Sequence, residues 1–217
     1  MSAASGKAVP MQIALSVIGN RYVAKSAGKS GSLIWATKEP NAEGAPFYVK
    51  GAIAAKILGS EAISSTDNSS SSKLLFTLPA SGATVALVLH AEHTKNAASP
   101  LAAVQTAVQE MTLADIASVA ERNKAWWREF WTRSYIKLSD DAQNYWYNHL
   151  YMIGSCARSG ADNGPGKAPG HWGPWNRADD MMWFSNLGMN YNAQNPYYGV
   201  FSSNHVDLVD PYVETIQ

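Results

Sequence analysis

The stretch Met11-Gln12-Ile13-Ala14-Leu15-Ser16-Val17-Ile18 places its two polar side chains, Gln12 and Ser16, on even positions and Met11, Ile13, Leu15 and Val17 on odd ones. That period of two is what a half-buried strand requires. Outward from it, further β-type runs at 33–37, 47–57, 73–78 and 84–91 are separated by Gly, Ser and Asn. The serine-rich stretch 64–72 predicts a solvated hairpin loop, and Asn68-Ser69-Ser70 within it formally fits a glycosylation acceptor. The chain up to about residue 93 therefore reads as all-β, a sandwich or part of one. With a single Lys before Val9 and a break at Gln12, this stretch is not expected to act as a signal peptide. A chain that opens directly on a strand is expected to have lost something upstream.

Helical spacing takes over after Ser99-Pro100. Residues 101–110 predict a short helix, and Thr112 with Asp115 three positions on forms a capping-box-like start to a longer one. On that second helix Leu113, Ile116, Val119, Ala120, Trp126, Phe130 and Trp131 recur at helical spacing, which predicts an amphipathic linker. Residues 135–138 read as extended. Ser139-Asp140-Asp141 predicts the cap of a third helix reaching about Arg158, with Trp146, Leu150 and Ile153 as its buried stripe.

Seven of the eight tryptophans and eight of the ten tyrosines follow residue 125, so two unlike halves are joined. Seventeen basic and seventeen acidic residues cancel, which recommends neither nucleic acid nor an anionic membrane as partner. No apolar run approaches the roughly 20 residues that span a bilayer. The single cysteine, Cys156, excludes an internal disulfide framework and a cysteine-built zinc site.

The chemistry-bearing text comes late. A long Gly, Pro, Asn and Asp loop at 159–169 opens into Gly170-His171-Trp172-Gly173-Pro174-Trp175-Asn176-Arg177-Ala178-Asp179-Asp180. Trp172 and Trp175 among turn-forming residues either face a ligand or seal the end of a helix bundle. In Asn190-Tyr191-Asn192-Ala193-Gln194, three amides at spacing two would share one side of an extended segment. Amides so aimed suit sugar hydroxyls, while indole planes suit a sugar's apolar face. The competing account is that the amides cap a helix or satisfy loop backbone. Asp179 and Asp180, as chain neighbours, point apart in an extended chain, so a cooperating acid and base pair is not implied; the pair is solvated, ties down the loop or takes part in catalysis. His171 has no second histidine at ligand spacing, which leaves a packed imidazole or a general acid and calls for no metal.

Taken together, the β half, the Trp126-Trp127 helix, the Gly170/Trp172 loop and Asn190-x-Asn192-x-Gln194 resemble the family 95 glycoside hydrolases, the inverting alpha-L-fucosidase and alpha-L-galactosidase group. Asn190-Tyr191-Asn192-Ala193-Gln194-Asn195-Pro196-Tyr197-Tyr198 stands where that family has Asn-Ile-Asn-Thr-Gln-Met-Asn-Tyr-Trp. Ser203-Asn204-His205-Val206-Asp207-Leu208-Val209-Asp210-Pro211 keeps the spacing of its Asn-Leu-x-Glu segment. The resemblance implies a multi-domain β + α fold: part of a β-supersandwich at 1–98, linker helices at 99–138, and the first helices of an incomplete (α/α)6 barrel at 139–217. It implies Asn190 and Asn192 as catalytic residues that orient water, and Trp172, Trp175, Gln194, His171, Asp179 and Asp180 as substrate-binding ones. No cofactor is implied, the partner is a carbohydrate, and the location is extracellular or periplasmic. Departures at Gly173 and at 195–198 point to a sugar other than fucose.

A closed barrel of six helical hairpins needs on the order of 300 residues, whereas about 75 follow Asp140. The acid and base carboxylates are therefore expected outside this chain, which would be inactive alone. A carbohydrate-binding module and a purely structural module are the alternatives. Uncovered aromatics such as Trp126, Trp146, Trp183 and Tyr198 predict self-association.

Overall fold

A computed structural model describes residues 7–17, 23–40, 50–92, 98–158, 168–170 and 188–216. The fold is mixed β and α, and divides into two compact units, Met1–Ala120 and Glu121–Gln217.

The first unit is built from two antiparallel sheets. Its strands are β1 (Val9–Ser16), β2 (Val23–Ser30), β3 (Leu33–Pro40), β4 (Lys50–Leu58), β5 (Ala62–Asn68), β6 (Ser71–Leu78) and β7 (Thr84–Glu92). One sheet has the order β1-β6-β5 and the other β2-β3-β4-β7. The alternation read in β1 is realised, with odd positions turned inward and Leu15 buried. Leu15, Leu74, Phe76 and Leu78 of the first sheet meet Ala27, Ile34, Ala36, Ala55 and Ile57 of the second, so the sheets pack face to face as a sandwich.

The serine-rich stretch is not a solvated loop. It forms β5, a tight turn and the start of β6. The reason is that the serines find partners: buried Ser64 donates its hydroxyl to the Gly31 carbonyl at 2.7 Å, and buried Ser72 to the Trp35 carbonyl at 3.0 Å. Asn68 closes the turn by accepting from the Ser70 N–H at 2.8 Å. Strand β2, with its lysines, serines and glycine, was also not legible as a strand; it pairs with β3 through a two-residue turn in which Gly31 takes φ +56°. Gly28 on β2 leaves room for the Trp35 ring, which lies across it.

Helix α1 (Leu101–Glu110) covers the outer side of the larger sheet, with Val104 and Val108 buried against Leu33, Ala52, Ala54 and Ala86. The inner side of β7 is different. Leu87 and Leu89 stand opposite Ala55 and Ile53, yet remain 50% and 69% exposed, because among the described residues β7 is the fourth strand of a sheet that faces three.

Helix α2 (Leu113–Thr132) starts as the capping box predicts: the Thr112 N–H donates to Asp115 Oδ2 at 2.8 Å, and the Asp115 N–H returns to Thr112 Oγ1 at 3.2 Å. The unit boundary falls within this helix. Its apolar stripe is not uniformly buried, since Leu113 and Val119 are exposed and Phe130 is buried. The second unit continues with α3 (Asp140–Cys156), α4 (Tyr191–Gln194), a 3-10 turn Asn195–Tyr197, α5 (Tyr198–Ser202), a 3-10 turn Val206–Val209 and α6 (Asp210–Ile216). Leu150 and Ile153 are buried as the stripe on α3 requires. Ser139 occupies the N-cap position of α3 but its hydroxyl makes no capping bond, leaving Asp140 and Asp141 to complement the helix dipole. Among the described residues, no helix is long and apolar enough to cross a membrane.

Candidate functional site

The second unit is organised by aromatic side chains. Spacing of four along α2 stacks Trp126 on Phe130 at 5.0 Å and Trp127 on Trp131 at 5.6 Å. Tyr151 of α3 stacks on Trp127 at 5.2 Å, and the Arg158 guanidinium lies 4.0 Å above the Trp126 ring. Gly154 lets α3 approach, since a Cβ there would come within 3.0 Å of Phe130.

Residues 203–207 are strapped to the end of α2. Ser134 donates its hydroxyl to the Ser203 carbonyl at 2.6 Å, and Arg133 pairs with Asp207 at 2.6 Å and with Glu129 at 3.4 Å. Asn204 takes a left-handed backbone, φ 58°, which Asn tolerates better than most residues. The strap drives His205 into the core, where its ring stacks on Phe130 at 3.9 Å and, among the described residues, neither ring nitrogen has a hydrogen-bond partner. Burial first, and then the charge of Arg133, holds this imidazole below the ordinary histidine pKa, with Asp207 pulling weakly the other way. The Asp207 carboxylate is thus committed to an ion pair. Burial also raises the Cys156 thiol and the Tyr197 phenol, so neither is a ready nucleophile.

The amide segment departs from its expected geometry. Residues 191–194 are helical, and Asn190 is the N-cap, its carbonyl accepting from Ala193 and Gln194 N–H while its side chain makes no capping bond. In a helix, positions two apart are about 200° apart around the axis, so Asn192 and Gln194 do not share a side. The physical cause is a buried stripe at helical spacing, Ala193, Tyr197 and Val200, which outweighs the turn-forming asparagines. Helical winding regroups the surface instead. Tyr191 and Tyr198, 63% and 55% exposed, meet edge to face at 6.4 Å, and exposed Gln194 and Asn195 lie on the turn between them. Asn190 and Asn192 are exposed as well. Tyr191 is the member that an extended reading of this segment passes over; a count of three and four from Ala193 through Tyr197 to Val200 would have found the face.

His171, Trp172, Trp175, Asp179 and Asp180 lie outside the described residues, as does most of the 159–169 loop. Among the described residues, no group of three or more His, Cys, Asp or Glu side chains is placed to hold a metal ion.

Residues 55–136 match the family model DUF5703_N, a domain of unknown function (DUF5703). The match runs from β4 through α1 and α2 to Ile136, under half of the chain. No curated protein matches the chain.

Proposed function

We propose that this chain is the sugar-gripping portion of a glycoside hydrolase of the family 95 kind, and that the face carrying Tyr191, Gln194, Asn195 and Tyr198 receives a neutral saccharide. One observation carries the reading: two exposed tyrosine rings set edge to face, with exposed amides on the turn between them. A pyranose offers an apolar face to a ring and a rim of hydroxyls that both donate and accept. Gln and Asn are the side chains that answer both demands without charge. The balance of seventeen acidic against seventeen basic residues supports a neutral ligand over a phosphorylated one.

Asn190, the N-cap residue immediately before Tyr191, is the amide assigned to orienting water; the resemblance implies Asn192 as well, but helical winding turns it away from Gln194, so the proposal gives it no part on this face. Inverting hydrolysis also needs an acid and a base roughly 6.5 to 9.5 Å apart. The proposal gives neither role to a described carboxylate. The aromatic loop with Trp172 and Trp175 is assigned to the same ligand.

Calorimetric titration with L-fucose, L-galactose and D-galactose tests the proposal. At least one sugar should bind with a Kd of about 1 mM, the strength that a few neutral hydrogen bonds and one stacked ring support. Tyr198→Ala and Gln194→Ala, both at exposed positions, should weaken it about tenfold. Absence of binding by all three sugars, or equal binding by both variants, would refute the proposal.

A further inference from the structure

A groove of about 440 Å³ lies in the first unit, between α1 and the β2–β3 turn. Its floor is Leu33, which is buried, and its walls are Ser30 and Gly31 from the turn and Gln105, Thr106, Gln109 and Glu110 from α1. The register of the helix explains the lining. Because Val104 and Val108 are turned onto the sheet, the residues one step round the helix, Gln105 and Gln109, stand in line four apart, with Thr106 and Glu110 behind them.

The opposite wall is held in place. Ser64 donates to the Gly31 carbonyl at 2.7 Å, and Lys29 donates to the Ser64 carbonyl at 3.3 Å. A Cβ on Gly31 would meet nothing within 4 Å, so the turn leaves the groove open above. Lys56 is drawn to the end of α1, where its ammonium donates to the Gln109 backbone carbonyl at 2.5 Å.

We propose that this groove is a second saccharide site, taking a neutral mono- or disaccharide. Two amides and two hydroxyls supply both donors and acceptors, and Glu110 adds an acceptor. Among the described lining residues there is no cation, which disfavours a phosphate or a carboxylate ligand. The volume falls in the range of small-molecule pockets. The site stands on another unit from the Tyr191–Tyr198 face and does not depend on it.

The test follows the side-chain NH2 resonances of Gln105 and Gln109 by NMR while the whole chain is titrated with D-galactose, L-fucose, cellobiose and xylobiose to about 50 mM, well above a millimolar Kd. At least one sugar should shift both resonances saturably. Gln105→Ala combined with Gln109→Ala should weaken binding, read from neighbouring backbone amides, about tenfold or more. Thr106→Trp, at an exposed position, should block the groove and serves if the double variant fails to fold. Tyr198→Ala should leave this Kd unchanged, so that the two sites fail or succeed separately. The proposal is overturned if none of the four sugars moves the Gln105 and Gln109 resonances, or if Thr106→Trp binds as the parent does.

Discussion

Acid should loosen the second unit through one side chain. His205 is fully buried, stacked on Phe130 at 3.9 Å, and among the described residues has no partner on either nitrogen. The groups that face it are the Phe130 ring, the Arg133 guanidinium and the Asp207 carboxylate that Arg133 holds. Its folded pKa is depressed, chiefly by burial, so the native state keeps it neutral while the unfolded chain takes up a proton near pH 6.5. The sign follows: below about pH 6.5 the unfolded state binds the extra proton, and stability falls as pH falls, until the folded imidazole is itself protonated. One proton corresponds to a limiting slope of about 1.4 kcal/mol per pH unit. Half-titration of the unfolded chain at the start caps the loss at about 1 kcal/mol between pH 6.5 and 5.5. His205→Leu conserves volume and removes the titrating group. Urea unfolding of both proteins, followed by tryptophan fluorescence at pH 7.5, 6.5 and 5.5, isolates the contribution as a difference in slope. The parent should lose more than His205→Leu over the last interval, by at most about 1 kcal/mol. Parallel pH profiles for the two proteins would refute the reasoning, as would a parent that gains stability relative to the variant on acidification.

Three further outcomes are expected. Gly28→Ala would bring a Cβ to 2.5 Å from the Trp35 ring, so the ring must leave β2; denaturant unfolding should show a loss of about 1–3 kcal/mol, the range for overpacking. Thr112→Ala removes the hydroxyl half of the reciprocal cap on α2 and should lower stability by about 1 kcal/mol, read as a lower urea midpoint at constant m-value. Leu87 and Leu89 leave the inner face of an edge strand uncovered, so the protein should self-associate as concentration rises; Leu87→Lys with Leu89→Lys should return light scattering towards the monomer value.

Where local chemistry decides the outcome, the chain could be read directly. β1 alternates because one of its faces must be buried, and the Thr112–Asp115 cap consists of bonds between residues three apart. Strands β2 and β5 were not legible, because lysine, serine and glycine carry no strand preference; pairing with β3 and β6 and hydroxyl bonds across the sandwich impose that state. The amide segment misled for the converse reason. Three amides at spacing two there suggested an extended chain, while the deciding signal was the buried stripe Ala193, Tyr197 and Val200, of which Tyr197 and Val200 join a core supplied by α2 and α3. His205 gave no local sign of burial, since the strap from Ser134 and Arg133 that drives it inward reaches across some seventy residues.

The central claim, that the Tyr191–Tyr198 face grips a neutral sugar, is tested most directly by saturation-transfer NMR on protein protonated only at tyrosine. Irradiating the tyrosine rings in the presence of methyl α-L-fucoside or methyl α-L-galactoside should transfer saturation to ring protons on one face of the sugar. The signal should vanish in the variant carrying Tyr191→Ala and Tyr198→Ala. Transfer that survives in that variant, or none from the parent protein to either glycoside, would contradict the claim.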